Sequence, residues 1–138
     1  MGTNLDNQYK SLLEEYRVVK EGDIGLCYNI RQKATVLRSN YGELMCSYEK
    51  EMIDAKNTAS AVKAQKSIEH SPTKVTEGNR SAEADQQYQD ALQMYSLKLK
   101  QFKYTEVQYN ILKDIAYHMN SQWEIMNKQT TYYKKENK

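Results

Sequence analysis

The chain has 138 residues, 39% of them apolar and 28% charged, with five Gly, one Pro and a formal charge of +2. That length suits a single domain, and a mean hydropathy of −0.91 is low for a compact globule but ordinary for a long helical rod, which has much surface per residue of core. Near-neutral charge selects no partner by itself. Scarce Gly and Pro, with no strand-like alternation of apolar and polar residues, make all-α the expected class.

The opening residues Met1, Gly2, Thr3 and Asn4 lead into polar sequence, unlike a signal peptide. Asp6 stands where a myristoylation signal needs Ser or Thr. No apolar run approaches the roughly 20 residues that cross a bilayer. The expectation is a cytoplasmic protein, free or peripheral on a membrane surface.

Residues 4–20 carry Leu5, Tyr9, Leu12, Tyr16 and Val19 at gaps of four and three, which predicts a short amphipathic helix. Gly22 and Gly25 follow, each costing roughly 1 kcal/mol inside a helix, so a break is expected there. A long helix is predicted over 26–69, with Ile30, Ala34, Leu37, Tyr41, Leu44, Tyr48 and Met52 on one face. A one-residue slip near Ala34 alters the local supercoil without ending the helix. Gly42, beside Tyr41, leaves room for a ring or backbone to come close. Past Met52 the stripe thins to Ala55 and Ala59. Cys27 and Cys46 would lie about 28 Å apart along this helix, too far for a disulfide, and read as buried thiols in a reducing compartment.

Residues 70–80 contain His70, Pro72, Thr73, Thr76, Gly78 and Asn79, the composition of a loop. Ser81 is the expected N-cap of the last helix, with Glu83 and Asp85 in its first turn. That helix is predicted over 81–135, its stripe running through Tyr88, Ala91, Tyr95, Leu99, Phe102, Tyr109, Leu112, Ala116, Met119 and Trp123. About 55 residues would rise roughly 80 Å. Two long helices joined by such a loop, plus the short first helix, make an elongated antiparallel helical hairpin or coiled coil over a single domain, residues 1–138. Folded this way, Tyr41 faces Tyr109, Leu26 faces Trp123, and the only Trp lies beside Gly22 and Gly25.

The last helix is apolar over more of its circumference than a two-helix seam needs, because Leu92, Met94, Leu97, Val107, Ile111, Ile115 and Ile125 lie beside the main row. The first helix can take part of this surface. A second copy of the chain is expected to take the rest, with Leu92, Val107, Ile111, Ile115 and Ile125 as the candidate interface of a two-fold homodimer.

Catalytic constellations are missing. His70 and His118 have no second His, Cys or carboxylate at metal-ligand spacing, and no Gly-rich phosphate loop is present. The expectation is a non-enzyme with no metal or cofactor, in which His118 is a partly buried packing residue. The twelve tyrosines fall mostly in the helical stripes, as core rather than as a stacking platform for nucleic acid. In the hairpin, Lys98, Lys100 and Lys103 would lie across from Lys50 and Lys56. Each Lys beside an anionic membrane contributes about 1 kcal/mol, so these five are candidate lipid-binding residues; the alternative is an ordinary solvated face.

Residues 47–56, with Tyr48, Ala55 and Lys56, then 82–92, with Ala82, Ala84, Tyr88 and Ala91, resemble the distal helices of an F-BAR domain of the BAR superfamily. Val107, Tyr109, Ile115 and Thr130 to Tyr133 extend the resemblance. It implies a dimeric, membrane-binding scaffold whose basic face meets anionic lipid. The rival expectations are a coiled-coil adaptor that binds only protein, and a stalk or chaperone subunit of a secretion or motor assembly.

Overall fold

The computed structural model describes residues 2–19, 23–70 and 74–136. They form four helices: α1 (Gly2–Val18), α2 (Ile24–His70), α3 (Val75–Ala84) and α4 (Gln86–Glu136). No strand occurs among the described residues, so the all-α expectation holds. The break after α1 is present, and Asp23 starts the next helix. Its Oδ1 accepts the Leu26 N–H at 3.0 Å and its carbonyl accepts the Cys27 N–H at 3.0 Å, which satisfies two amides that a helix start leaves open. Helix α2 therefore begins ahead of Leu26 and takes Gly25 into its first turn.

The expected loop over 70–80 is helical from Val75 onward, and the last helix does not start at Ser81. Asp85 is the punctuation instead. Its backbone is extended (φ −68°, ψ 134°) and its N–H closes α3 onto the Ala82 carbonyl. Its Oδ1 accepts the Gln87 N–H at 2.8 Å and its carbonyl accepts the Gln89 N–H at 3.0 Å. An Asp at this point caps as well as a Ser does, and Asp85 has the extended backbone that an N-cap needs, whereas Ser81 lies inside α3. Pro72 lies outside the described residues.

The chain divides into two compact units, Met1–Gly42 with Val107–Lys138, and Glu43–Glu106. In the first unit α1, α2 and α4 meet. Leu12, Ile30, Leu37, Tyr41, Leu112, Ile115 and Met119 are buried there, each large apolar side chain contributing about 1.5–3 kcal/mol. Helix α1 is tied down at both ends. The Tyr41 hydroxyl donates to Asp6 Oδ1 at 3.1 Å and the Tyr9 ring meets Tyr41 edge-on at 5.7 Å. Further along, Lys33 bridges to Glu15 at 2.8 Å, and the Tyr16 hydroxyl bonds to His118 Nδ1 at 2.8 Å. Between α2 and α4, Arg31 donates to Asn120 Oδ1 at 2.7 Å, while a Cβ on Gly42 would sit 3.3 Å from the Tyr109 ring. Partner numbers fall on α4 as they rise on α2, the order of helices running in opposite directions. Gly42 thus admits a ring, as its place beside Tyr41 predicted.

The second unit has the same descending order. Lys98 reaches Glu51 at 3.2 Å, and Lys63 reaches Glu83 at 3.1 Å and lies 5.8 Å over the Tyr88 ring. Helix α3 packs backbone to backbone on α2, since a Cβ on Gly78 would stand 2.5 Å from the Ser67 carbonyl oxygen. Ser67 Oγ donates to Asn79 Oδ1 at 2.9 Å beside it. Gly78, expected as a loop residue, is a helical contact point. What this unit buries is meagre: among the described residues its buried apolar side chains are Ala59 and Ala82.

Two further expectations are corrected. Cys27 is buried but Cys46 is exposed, because the stripe of α2 passes through Leu44 and Tyr48 and Cys46 lies off it. Burial, and then the charge of Asp23, push the Cys27 thiol above its ordinary range. Trp123 is not seated on Gly25, where a Cβ would find only Asp23 Oδ1 at 3.9 Å. Its ring carries the Arg31 guanidinium at 5.4 Å. Gly22 lies outside the described residues.

Candidate interaction surface

Helix α4 repeats residue types at intervals of seven, and one such row is Met94, Gln101, Gln108 and Ile115. In the first unit this row is closed. Gln108 is 5% and Ile115 3% exposed, and α1 lies against α4 through the Tyr16–His118 bond. In the second unit the row is open: Met94 is 51% exposed, with Leu97 at 50% and Tyr104 at 65% next to it on the same helix. Residues 94, 97, 101 and 104 are spaced three and four apart, which sets them on one face. Gln101 Oε1 is buried there with no hydrogen-bond partner among the described residues. An exposed group of large apolar side chains at this spacing is the usual mark of a surface that meets another protein.

The five candidate interface residues are distributed differently. Ile115 is buried within its own unit. Leu92 is half-buried, and Val107, Ile111 and Ile125 are exposed. Sequence reasoning sets Met94 and Leu97 beside the main row but leaves them out of the candidate interface, and it passes over Tyr104. The signal that could have found them is the seven-residue interval through Leu97, Tyr104 and Ile111, which stands beside the main stripe.

The five candidate lipid-binding lysines all belong to the second unit, and two of them have carboxylate neighbours. Lys98 pairs with Glu51 at 3.2 Å, and Lys103 lies 3.9 Å from Glu106 and 5.9 Å from the Phe102 ring centre. Lys50, Lys56, Lys100 and Lys103 are exposed, and Lys98 is half-buried. Lys98 and Lys100, two residues apart on a helix, point to different sides. Acidic residues slightly outnumber basic ones between Glu43 and Glu106, so any surplus of positive charge there is local.

Where the second unit turns from α2 to α4, His70 Nε2 meets Asp85 Oδ2 at 3.2 Å. That hydrogen bond, the Gln87 N–H and the charge of Lys66 hold the Asp85 carboxyl below its ordinary range. Lys66 is shifted upward, chiefly by its hydrogen bond to Glu69. His118, expected to be partly buried, is exposed, and its ring stands edge-on to Tyr16 at 5.8 Å. No group of three or more His, Cys, Asp or Glu that could hold a metal ion occurs among the described residues. No helix there is long and apolar enough to cross a membrane. No family model, curated protein or solved structure matches this chain.

Proposed function

We propose that this protein is a non-enzymatic helical scaffold that works by helix-on-helix association, with a second copy of itself as the partner. The observation that carries the reading is the contrast between the two units. One buries Leu12, Ile30, Leu112, Ile115 and Met119 where three helices meet, whereas the buried apolar side chains of the other, among the described residues, are Ala59 and Ala82, and it leaves Met94, Leu97 and Tyr104 open. A unit of that size with two buried alanines falls short of what a small domain needs. A helix from a second chain laid on Met94, Leu97 and Tyr104 supplies the cover that α1 supplies elsewhere. The near balance of charge in this unit does not oppose self-association, and a two-fold pairing makes one patch serve both partners.

Light scattering or sedimentation equilibrium over micromolar concentrations tests this. A dimer is expected, and Leu97→Glu with Tyr104→Glu should return it to monomer with its helix content retained. A monodisperse monomer that stays stable at high concentration refutes the self-pairing.

The membrane-binding reading implied by the F-BAR resemblance rests on Lys50, Lys56, Lys98, Lys100 and Lys103, all but the half-buried Lys98 exposed. Co-sedimentation with phosphatidylserine vesicles at low and high salt separates it from the protein-only reading. Binding that vanishes in salt supports lipid contact, since exposed charges are screened. No binding at low salt ends it.

A further inference from the structure

The first unit holds a second feature, independent of self-association: an open groove of about 560 Å³ between α2 and α4, lined among others by Arg31, Thr35, Arg38, Lys113, Asp114 and Asn120. Three cations border it against one carboxylate. The ion pairs found in this unit join other residues, Arg17 to Glu14 and Lys33 to Glu15. Among the described residues no carboxylate pairs with Arg31. It donates to the neutral Asn120 Oδ1 at 2.7 Å, and its guanidinium lies 5.2 Å from the Tyr28 ring centre and 5.4 Å from that of Trp123. Arg38 is half-buried and Lys113 exposed.

Like charges crowded on one groove repel, and an entering anion relieves them. The planar fork of an arginine matches phosphate oxygens, and a lysine serves them as a point charge. The volume falls within the range of small-molecule sites and exceeds what one phosphate fills. We propose that this groove binds a small ligand bearing a diphosphate, with Arg31 pre-positioned by its two rings and Arg38 and Lys113 closing on the phosphate oxygens. Asp114, on the rim, works against the anion and limits its affinity.

Inorganic pyrophosphate is the probe, followed by calorimetry on the full chain and by the emission of Trp123, the only Trp and a contact of Arg31. Saturable binding at low salt is expected, with inorganic phosphate about tenfold weaker. Arg38→Gln should weaken pyrophosphate about tenfold or more, one lost charge-assisted contact. Asp114→Asn should tighten it about threefold, the scale of an exposed charge pair. Both variants keep the helical circular dichroism, because neither side chain is in the buried core. Lack of saturable binding below about 1 mM, equal affinity for phosphate and pyrophosphate, or an Arg38→Gln chain that binds as the wild type does would overturn the assignment.

Discussion

Gly25, Gly42 and Gly78 lie inside helices of this protein, and replacing each with Ala should give three different results. Removing a helical Gly gains about 0.5–1 kcal/mol, because Ala has less backbone freedom to lose on folding. At Gly25 a new Cβ finds only Asp23 Oδ1, 3.9 Å away, so most of the gain should survive. At Gly42 the Cβ stands 3.3 Å from Tyr109 Cε2. That half-buried ring can yield a few tenths of an ångström, and the gain and the crowding should cancel to within about 0.5 kcal/mol. At Gly78 the Cβ would stand 2.5 Å from the Ser67 carbonyl oxygen and 3.2 Å from its carbonyl carbon. Backbone of α2 cannot turn aside, so α3 must lift. Overpacking of this kind costs about 1–3 kcal/mol, leaving a net loss of about 1–2 kcal/mol after the propensity gain. In thermal melts followed by circular dichroism, about 3 °C per kcal/mol for a chain of this size, Gly25→Ala should rise, Gly42→Ala stay level and Gly78→Ala fall by about 3–6 °C. Ser67→Ala added to Gly78→Ala should not restore stability, because it removes Oγ and leaves the carbonyl in place. A Gly78→Ala protein as stable as the wild type would refute the close approach of α3 to α2.

Asp85 is held in its charged form by His70, Gln87 and Lys66, so its contribution is full above the ordinary Asp range and is lost as pH falls through its lowered value. The protection factor of the Gln87 amide, its exchange relative to the intrinsic rate at each pH, should therefore fall at acid pH, and Asp85→Ala should show that lowered protection already at neutral pH. Cys46 is exposed and Cys27 buried with a raised pKa, so a thiol reagent should label one site promptly and the second only on opening of the first unit; equal rates would contradict the burial of Cys27. Gln101→Met replaces a buried oxygen without a partner by an apolar chain of similar length, and urea titration should show a gain of about 1 kcal/mol; a loss would mean that the amide is bonded in solution.

Helical class, the interruption between Val18 and Ile24, and the room beside Tyr41 at Gly42 were legible from residue types and their spacing. Such features depend on neighbours within a turn or two, where propensity and periodicity speak directly. The start of α4 was misplaced by the same kind of reasoning. Ser81, Asp85 and the glycine at 78 are all acceptable near a helix end, and local chemistry ranks them almost equally. The choice of Asp85 is bound up with distant partners, since His70 also meets its carboxylate and Gly78 lets α3 rest on Ser67.

The spacing of large side chains told which faces of the helices are apolar, but not which of those faces another helix covers. Ile115 and Met94 sit in one seven-residue row, yet the first is enclosed and the second open, a difference that the row itself does not carry. Likewise Trp123 was expected against glycine and instead carries Arg31, a pairing between residues far apart in the chain. Periodicity along a helix is written by 3.6 residues per turn and is readable at once. Contact across helices depends on where a short third helix ends and on which side chain reaches first, and those are settled only when the chain has folded.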